Sequence, residues 1–380
     1  MKIALIGRDA HRVLAFRGSL IRLAQCNGHE VIAITGPAAG DSIGALAHAD
    51  VRWFGSPLDG GGMNPLADLA YRRTLERILR EQRVDAVLAY NPKCLAHAPI
   101  AARRAGVGRV VGMVTGLGHG FIGNGWKERL VRLIKIRLYQ RAFAACDHVL
   151  VQNEADLQEL KMCGALPSPV DARVSLIAGS GVDLDHFTPV PLPEGAHFLM
   201  IARPLREKGL PEFFEAARHV KAQVPSATFT WLGPMSDPNP SAIDRTTLER
   251  WLAPGIVRHR PECADVRPAI AACSVFVLPS HREGTSKVML EAMAMGRGVV
   301  TTDAPGCGGV LRDADCARVV PTRDSTSLAE TLLKCAHDPL WRSSAAIASQ
   351  RTCVARFDAR MVDQTILNLL TTGTSGTLKP

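Results

Sequence analysis

Several features that would point to common protein classes are scarce or missing in this chain of 380 residues. Aromatic side chains make up only 5% of it, and no nucleic-acid recognition motif occurs, which disfavours binding to nucleic acid. No run approaches the roughly 18 apolar residues of a membrane span. The start MKIALIGRDA reads as a strand, without the charged and apolar regions of a secretion signal. We therefore expect a cytoplasmic protein.

The sequence also lacks the patterns of a metal or disulfide protein. Its ten cysteines form no C-x-x-C pair, no D-x-D lies where it would hold a metal, and no His/Cys/Asp cluster has ligand spacing. Small buried thiols in a reducing compartment explain the scattered cysteines better than zinc or disulfides. We expect no metal and no other cofactor.

What is present is a plan that occurs twice. A domain averages about 150 residues, so the length suggests two domains. Each half opens with an apolar strand, a loop and a helix, at KIALIG and again at FLMIARPLREKG. The strands are too uniformly apolar for a sheet with one solvent-exposed face. This pattern predicts parallel sheets covered by helices on both sides. The expected fold class is α/β, with two doubly wound domains.

Composition suggests where these domains begin and end. We predict a first Rossmann-like domain over 1–182, a proline-rich and polar linker over 183–195, and a second Rossmann-like domain over 196–352. A helix over 353–371 is expected to pack back toward the first domain, followed by a flexible tail over 372–380. Doubly wound sheets bind ligands beyond the carboxyl ends of their strands, so a cleft between the domains is the expected site.

The stretch HREGTSKVMLEAMAMG, residues 281–296, contains several candidate ligand-binding groups. It follows the apolar strand SVFVLPS and predicts a turn, then a helix with Thr285 or Ser286 as N-cap and Gly296 as its C′ glycine. Lys287 in the first turn opposes the helix dipole. A phosphate held by the N–H groups of the turn and by Lys287 would remove that penalty. A solvated lysine at an ordinary helix start is the alternative.

Two glutamates, Glu283 and Glu291, lie eight residues apart in this stretch. A glycoside hydrolase also uses two carboxylates, but they flank one bond, about 5 to 9.5 Å apart. Mostly helical residues put these two about 10 Å or more apart. The spacing favours two contacts along one elongated ligand, with Glu283 accepting hydrogen bonds from sugar hydroxyls and Glu291 reaching a ribose diol.

Other strand ends carry basic and glycine residues. Arg203 and Lys208, in IARPLREKG, bracket a turn and would cap a diphosphate and stabilise a leaving group, unless they are simply solvated. Gly18 is predicted at the entry to the first helix, where it would let the backbone approach phosphates or merely form a turn. Gly116 and Gly118, in TGLGHG, also lie at a strand end and would shape the acceptor side.

The E-x7-E spacing, after a V-x-PS strand and before EAMAxG, resembles the family 4 retaining glycosyltransferases, whose GT-B fold is two Rossmann-like domains around a donor cleft. Other stretches resemble one branch of that family, the bacterial enzymes that add hexoses or N-acetylhexosamines to polyprenyl-diphosphate sugars for surface polysaccharides and protein glycans. They are FRGSLI, GGMNPLADL, VTGLGHGF, GSGVDLDHF, IARPLREKGL, DVRPAI, REGTSKVMLEAMAMG and TTDAPGCGG. Together they run from about residue 16 to residue 310.

The resemblance implies a metal-independent transfer from a nucleotide diphosphate sugar, most simply a UDP-sugar, to a lipid-linked saccharide. The first domain would take the acceptor and the second the donor. No nucleophilic carboxylate is evident, so we expect leaving-group stabilisation with same-face attack by the acceptor hydroxyl. The resulting assignments are catalytic for Glu283, Arg203, Lys208 and His119, donor-binding for Gly18, Gly284, Thr285, Ser286, Lys287 and Glu291, and acceptor-side for Lys93, Gly116 and Gly118.

Two of these assignments have open alternatives. Many relatives have a catalytic histidine at a position comparable to His119, but this branch commonly has an aromatic residue there. A sugar contact and a packed or solvated histidine therefore both stay open. Lys93, in YNPKC, matches a T-I-K-P stretch of the branch and either faces the acceptor diphosphate or has no ligand role.

Residues 127–141 carry six basic residues against one acidic residue. On a helix, the apolar residues would form one stripe and several basic residues the other side. This pattern fits either a core-facing helix with a solvated basic face or peripheral attachment to an anionic membrane, at about 1 kcal/mol per basic residue. Arg137 and Arg141 interrupt the stripe, so deep burial in lipid is not expected. The stripe is Leu130, Val131, Ile134 and Leu138, opposite Arg129, Arg132 and Lys135.

Three glycines depart from the pattern of the branch. It usually has proline at the position of Gly298 and Arg-Glu at Gly308 and Gly309, and its N-G-F/L-x-V-P stretch is poorly kept near DADCARVVP. We expect these changes at the edge of the donor site. They motivate an alternative function, a nucleotide-sugar-binding scaffold without turnover. A nicotinamide-dependent oxidoreductase is a third hypothesis, opposed by the absence of G-x-G-x-x-G after KIALIG.

Overall fold

The computed structural model describes residues 1–58, 64–117, 126–166, 173–239, 241–311 and 314–373. The chain forms two compact units. The first unit consists of Met1–Ser180 with Ala359–Pro380, and the second of Gly181–Asp358. The boundary between the units, at Ser180–Gly181, lies slightly before the linker predicted over 183–195.

Seven strands form one sheet in the first unit: β1 (Lys2–Ile6), β2 (Glu30–Thr35), β3 (Arg52–Gly55), β4 (Ala86–Tyr90), β5 (Arg109–Val114), β6 (His148–Val151) and β7 (Val174–Leu176). Their order is β3-β2-β1-β4-β5-β6-β7, and every neighbouring pair is parallel. The order reverses between β1 and β4, which makes this pair the switch point where doubly wound sheets bind ligands. Six of the strands are confirmed predictions. The sequence missed β3, whose RWFG is short and has no buried residue.

Helices cover both faces of this sheet: α1 (Ala10–Cys26), α2 (Gly40–His48), α3 (Pro65–Glu81), α4 (Pro92–Arg104), α5 (Trp126–Ala144), α6 (Glu154–Met162) and α13 (Ala359–Thr371). Neighbouring residues of β1 enter different cores. Ile6 belongs to the core that contains Leu75 of α3, and Leu5 to the core that contains Leu20 of α1 and Ile366 of α13. The predicted burial of both faces is confirmed for this unit.

The first helix begins earlier than the sequence predicted. Gly18 was expected at the helix entry, and that placement is wrong because α1 starts at Ala10 and Gly18 is its ninth residue. The run AHRVLAFR has no proline or glycine and contains good helix formers, so the helix extends through it. The N–H of Gly18 therefore lies inside the helix, away from the free N–H groups of the first turn.

The second unit repeats the architecture with six strands: β8 (His197–Ile201), β9 (Thr228–Leu232), β10 (Val257–Arg260), β11 (Val275–Leu278), β12 (Gly298–Thr302) and β13 (Ala317–Val320). All six are confirmed predictions. Their order is β10-β9-β8-β11-β12-β13, again parallel throughout. The switch point lies between β8 and β11. The helices are α7 (Leu210–Gln223), α8 (Arg245–Leu252), α9 (Arg267–Ala271), α10 (Lys287–Ala294), α11 (Ser325–His337) and α12 (Pro339–Arg356).

The C-terminal region differs from the prediction of one helix over 353–371. The structure has two helices, because α12 ends at Arg356 and α13 starts at Ala359. The second of them packs against α1 in the first unit and buries Ile366 and Leu370. In the predicted tail, Thr372 Oγ1 donates to the carbonyl of Asn368 at 3.0 Å; residues 374–380 lie outside the described residues.

The cysteines are free thiols, and seven of the ten are buried, as predicted for small apolar residues. Cys163 is half-buried. Cys26 and Cys263 are exposed.

Gly298 has a structural explanation. A Cβ at this position would lie 2.9 Å from the Cβ of Ala345 and 3.3 Å from the ring of Trp341, both on α12. The helix therefore occupies the space that a side chain would need. Since Gly298 opens β12 at its amino end, the expectation that it lies at the edge of the donor site is wrong. Gly308 is buried against the carbonyl of Thr302, where a Cβ would lie 2.6 Å away.

We predict that Gly298→Ala destabilises the protein by about 1–3 kcal/mol, because the added methyl group overpacks the contact with α12. Denaturant unfolding of the full chain, followed through the transition of the second unit, measures the effect. Gly309→Ala is the matched control, since a Cβ there has no neighbour within 4 Å; its change is expected to stay within about 0.5 kcal/mol. Equal stability of Gly298→Ala and the parent would contradict this account.

Candidate active site

Charged side chains gather at the switch point of the second unit. Here β8 pairs with β11, so both strands end at the same edge of the sheet. Arg203 follows β8 by two residues, Lys208 closes a 3-10 turn over Arg206–Lys208, and Glu283 follows β11 by five residues. Parallel pairing thus brings together residues that are 75 positions apart in the sequence.

The centre of this cluster is an ion pair. Lys208 Nζ donates to Glu283 Oε1 at 2.6 Å, and Ser280 Oγ donates to the same oxygen at 2.9 Å. The side chains are 21% and 14% exposed, so both remain accessible at the edge of the sheet. Charge-assisted hydrogen bonds of this length fix both groups. The sequence predicted both residues for one ligand but did not predict their direct contact, nor the role of Ser280.

Two glycines that sequence reasoning did not single out allow this contact. Gly209 has φ 76°, and a Cβ there would lie 2.1 Å from the carbonyl oxygen of Pro279. Gly306 has φ 71°, and a Cβ would lie 2.2 Å from the carbonyl oxygen of Glu283. Only glycine permits such close approach of backbone segments at positive φ. The turns that carry Lys208 and Glu283 therefore depend on these glycines.

Arg203 is held by a carboxylate that the sequence analysis missed. Its Nη1 lies 3.1 Å from Oδ2 of Asp237, whose side chain is 7% exposed. In the neighbouring turn, Ser241 Oγ donates to Glu207 Oε1 at 3.0 Å. Asp237 and Ser241 lie in the loop after β9. Their place beyond the carboxyl end of a third parallel strand is the feature of the sequence that could have identified them as site residues.

The turn before α10 is tied to α7. His281 Nε2 lies 2.9 Å from Glu212 Oε1 of α7, and the His281 N–H donates to the carbonyl of Glu207 at 2.8 Å. These contacts were not predicted. They fix the first residue of the turn relative to the segment that carries Lys208.

The start of α10 agrees with the sequence in position but not in capping. Ser286 is the N-cap residue, yet it makes no side-chain capping hydrogen bond, and Thr285 Oγ1 donates to the carbonyl of Gly284 instead. Lys287 is the first helical residue, and its Nζ lies 3.6 Å from Oε1 of Glu291 one turn later. The predicted helix end is confirmed, because α10 closes before a glycine with φ 78° at position 296.

Glu291 is a nearly buried carboxylate, only 7% exposed. Burial raises its pKa above the usual range for glutamate, and the nearby Lys287 ammonium opposes this shift only in part. Because the carboxylate is largely shielded from water, its oxygens can accept hydrogen bonds from ligand hydroxyls with little competition from solvent.

The remaining assigned residues belong to the first unit. Gly116 follows β5 by two residues with φ 113°, a conformation that favours glycine. Lys93 lies in the first turn of α4, and its Nζ is 2.9 Å from Oδ1 of Asp68. Gly118 and His119 lie outside the described residues.

Within the described ranges, no group of three or more His, Cys, Asp or Glu side chains is placed to hold a metal ion. In the same part of the chain, no helix is long and apolar enough to cross a membrane.

Two Rossmann-like parallel sheets, the second with a cationic and carboxylate cluster at its switch point, are the architecture of the GT-B fold class. Protein-family profiles agree: "Glycosyl transferase 4-like domain" matches residues 17–170 and "Glycosyl transferases group 1" matches residues 195–338. The chain belongs to the family 4 glycosyltransferases.

Two similar proteins are glycosyltransferases by name, and a solved structure shares the fold. The N,N'-diacetylbacillosaminyl-diphospho-undecaprenol alpha-1,3-N-acetylgalactosaminyltransferase of Campylobacter jejuni is 26% identical over 81% of this chain and 82% of its own length. The UDP-Gal:alpha-D-GlcNAc-diphosphoundecaprenol alpha-1,3-galactosyltransferase of Escherichia coli is 26% identical over 76% of each chain. Anabaena Alr3699/HepE in complex with UDP-glucose has a TM-score of 0.78 at 18% identity, covering 98% of this chain and 100% of its own.

We predict that Glu291→Gln stabilises the protein at pH 7 to 8. A carboxyl whose folded pKa exceeds its unfolded value contributes stability at low pH and loses it as pH rises through that interval. The neutral amide avoids this loss, so the melting temperature should rise by a few degrees near neutral pH. The advantage should disappear below about pH 4, where the glutamate is protonated in both states.

Thermal unfolding from about pH 3 to pH 8 provides this measurement. The exposed residue Glu262 offers the control variant Glu262→Gln, which should give no pH-dependent gain. A lower melting temperature for Glu291→Gln than for the parent at pH 7 would mean that the pair with Lys287 outweighs burial.

Proposed function

We propose that this glycosyltransferase moves a hexose or an N-acetylhexosamine from a UDP-sugar to a lipid-linked saccharide, in the assembly of a cell-surface polysaccharide or glycan. The observation that carries the proposal is the Lys208–Glu283 pair at the switch point of the second unit. Two relatives named for transfer to undecaprenol-diphosphate-linked sugars support the acceptor class. A similar fold in complex with UDP-glucose supports the donor class.

The proposed roles follow from the chemistry of the cluster. Lys208 and Arg203 would contact the donor diphosphate, and their charges stabilise the negative charge that develops as the bond between sugar and phosphate breaks. Glu283 would accept hydrogen bonds from hydroxyls of the transferred sugar. The acceptor hydroxyl attacks the anomeric carbon from the same face, and its proton passes to the leaving phosphate oxygen.

The remaining groups would complete the donor site. Glu291 would bind the ribose diol, while Lys287 and the N–H groups of residues 284–286 would contact phosphate oxygens at the start of α10. No metal has a role in this scheme, because the cationic side chains and the helix end supply the positive charge.

The scaffold hypothesis is less favoured. It was motivated by the three unusual glycines, but Gly298 is explained by packing against α12 at the amino end of its strand. The groups proposed to bind the diphosphate, the sugar and the ribose are all present. Since the chain is a family 4 glycosyltransferase, the oxidoreductase hypothesis also lapses.

We predict that Lys208→Ala lowers the transfer rate by about 100-fold, because one preorganised charge at the leaving group is removed. The assay combines purified protein, EDTA, a panel of UDP- and GDP-sugars and a short polyprenyl-diphosphate sugar, and measures released nucleotide and product mass. Arg218→Ala, which removes a cation at an exposed position on α7, is the matched control and should keep the parental rate.

Different outcomes separate the hypotheses. A Lys208→Ala rate near that of the parent would remove the diphosphate assignment. Saturable nucleotide binding without product on any donor would favour the scaffold. Loss of transfer in EDTA, with recovery on adding a divalent cation, would contradict the metal-independent scheme.

We also propose that the enzyme attaches peripherally to an anionic membrane through α5. The amino-terminal part of this helix does not face the core: Leu130 is 53% exposed, Leu133 60% and Ile134 39%. Arg129, Arg137 and Arg141 are exposed on the same helix. The core-facing alternative fits only the carboxyl-terminal part, where the buried residues are Tyr139, Ala142 and Phe143.

We predict that the protein sediments with vesicles that contain phosphatidylglycerol and not with pure phosphatidylcholine vesicles. The double variant Arg137→Gln/Arg141→Gln should bind roughly tenfold or more weakly, since each basic residue contributes about 1 kcal/mol. The exposed arginines of α8 give a matched control, Arg245→Gln/Arg250→Gln. Equal binding by the two double variants would contradict the assignment to α5.

A further inference from the structure

A cavity of about 230 Å³ lies at the switch point of the first unit, where β1 and β4 end. Doubly wound sheets bind ligands at this place, and the cluster described above occupies the equivalent place only in the second unit. The volume is below the roughly 300 Å³ of the smallest ordinary ligand pockets. It therefore fits a compact head group better than a whole saccharide.

The two switch points carry similar cations. Arg8 follows β1 by two residues, as Arg203 follows β8 by two residues. Lys93 is the second residue of α4, which follows β4, and Lys287 is the first residue of α10, which follows β11. In each unit an arginine thus lies two residues past one central strand, and a lysine lies in the first turn of the helix that follows the other. In the second unit these positions belong to the proposed diphosphate site.

The charge of the cavity favours an anion. Three cations, Arg8, Lys93 and Lys135, line it together with one carboxylate, Asp68. Burial lowers the pKa of Lys135, and no acidic group of the described chain forms an ion pair with it. Asp9, outside the lining, lies 3.6 Å from Nε of Arg8, and with this carboxylate included the cations still exceed the acids. An anionic group would balance this excess of positive charge.

A second observation is a buried polar atom. The side chain of His97, which also lines the cavity, is 5% exposed and lies 3.6 Å from Asp68 through Nε2. Its Nδ1 is buried without a hydrogen-bond partner. Because buried polar atoms are normally satisfied, an unpartnered one in a cavity wall indicates a missing ligand or water.

The wall that α5 contributes is apolar. Ile134 and Leu138 line the cavity, while Ile134 and Leu130, one turn earlier, are 39% and 53% exposed. Apolar surface therefore runs from the cavity to the outside of the helix. A ligand with an anionic head and a hydrocarbon chain would match both parts.

We propose that this cavity binds the diphosphate of the lipid-linked acceptor, with Arg8, Lys93 and Lys135 contacting phosphate oxygens and the first isoprenoid units lying against Ile134 and Leu130. The identity of the acceptor rests on the proposed function. The anion site does not, since a free diphosphate would meet the same cations.

The test is calorimetric titration of the full chain with farnesyl diphosphate, and separately with inorganic diphosphate, both in saturating UDP so that the donor site is occupied. We expect Lys135→Ala and Lys93→Ala each to weaken farnesyl diphosphate binding about tenfold or more, as expected for loss of a charged hydrogen bond. Asp68→Asn should strengthen it, because a competing carboxylate is removed. The control is Lys161→Ala, an exposed lysine on α6 of the same unit.

Melting temperatures verify that each variant is folded. If Lys93→Ala does not fold, the binding measurement on Lys135→Ala alone tests the proposal. Affinity for farnesyl diphosphate that is the same in Lys135→Ala and Lys161→Ala would overturn the proposal. Equal affinity for farnesyl and inorganic diphosphate would overturn the lipid assignment, since the chain would then add nothing.

Transfer kinetics separate this inference from the proposed function. Lys135→Ala should raise the KM for the lipid-linked acceptor and leave the KM for the donor unchanged. An active enzyme with unchanged acceptor KM would refute the cavity assignment and keep the function. Farnesyl diphosphate binding that depends on Lys135, without transfer from any sugar donor, would keep the cavity assignment and refute the proposed function.

Discussion

Parallel pairing of the two central strands in each sheet is the constraint on which both sites depend. In the second unit, β8 pairs with β11 at Phe198–Val275 and Leu199–Phe276. The next strands along the chain lie on opposite sides of this pair, so the loops that follow β8 and β11 turn away from each other. The gap between them is where Lys208 meets Glu283.

Local sequence patterns explain why much of this fold was predictable. Twelve of the thirteen strands were predicted, and most of them coincide with apolar runs bounded by polar or turn residues, because strands buried on both faces leave no room for polar positions. The strand VRHR of β10 is an exception, with only its valine buried. The strand RWFG had no such run. The start of α1 was missed for a related reason: the glycine at position 18 suggested a turn, while tertiary packing of Val13 and Arg17 keeps the helix continuous through it.

The contacts within the site were not predictable in the same way. The types of residue at 203, 208, 283 and 291 indicated diphosphate and sugar chemistry, and the structure brings the first three to one edge of the sheet. However, the partners of these residues are set by tertiary approach. Asp237 reaches Arg203 from the loop after β9, and Ser280 supports Glu283. No periodicity in one segment encodes a contact with another.

The pairing of lysine with carboxylate recurs in both units and has a physical basis. Lys208 lies 2.6 Å from Glu283, and Lys93 lies 2.9 Å from Asp68. An isolated, partly buried charge is costly, whereas a paired one is tolerated. When a phosphate contacts the lysine, the ammonium retains a nearby negative charge, and the carboxylate becomes available to hydroxyl donors of the same ligand. The mixed pair in the second unit therefore suits a ligand that combines phosphate with sugar, as the proposed donor does.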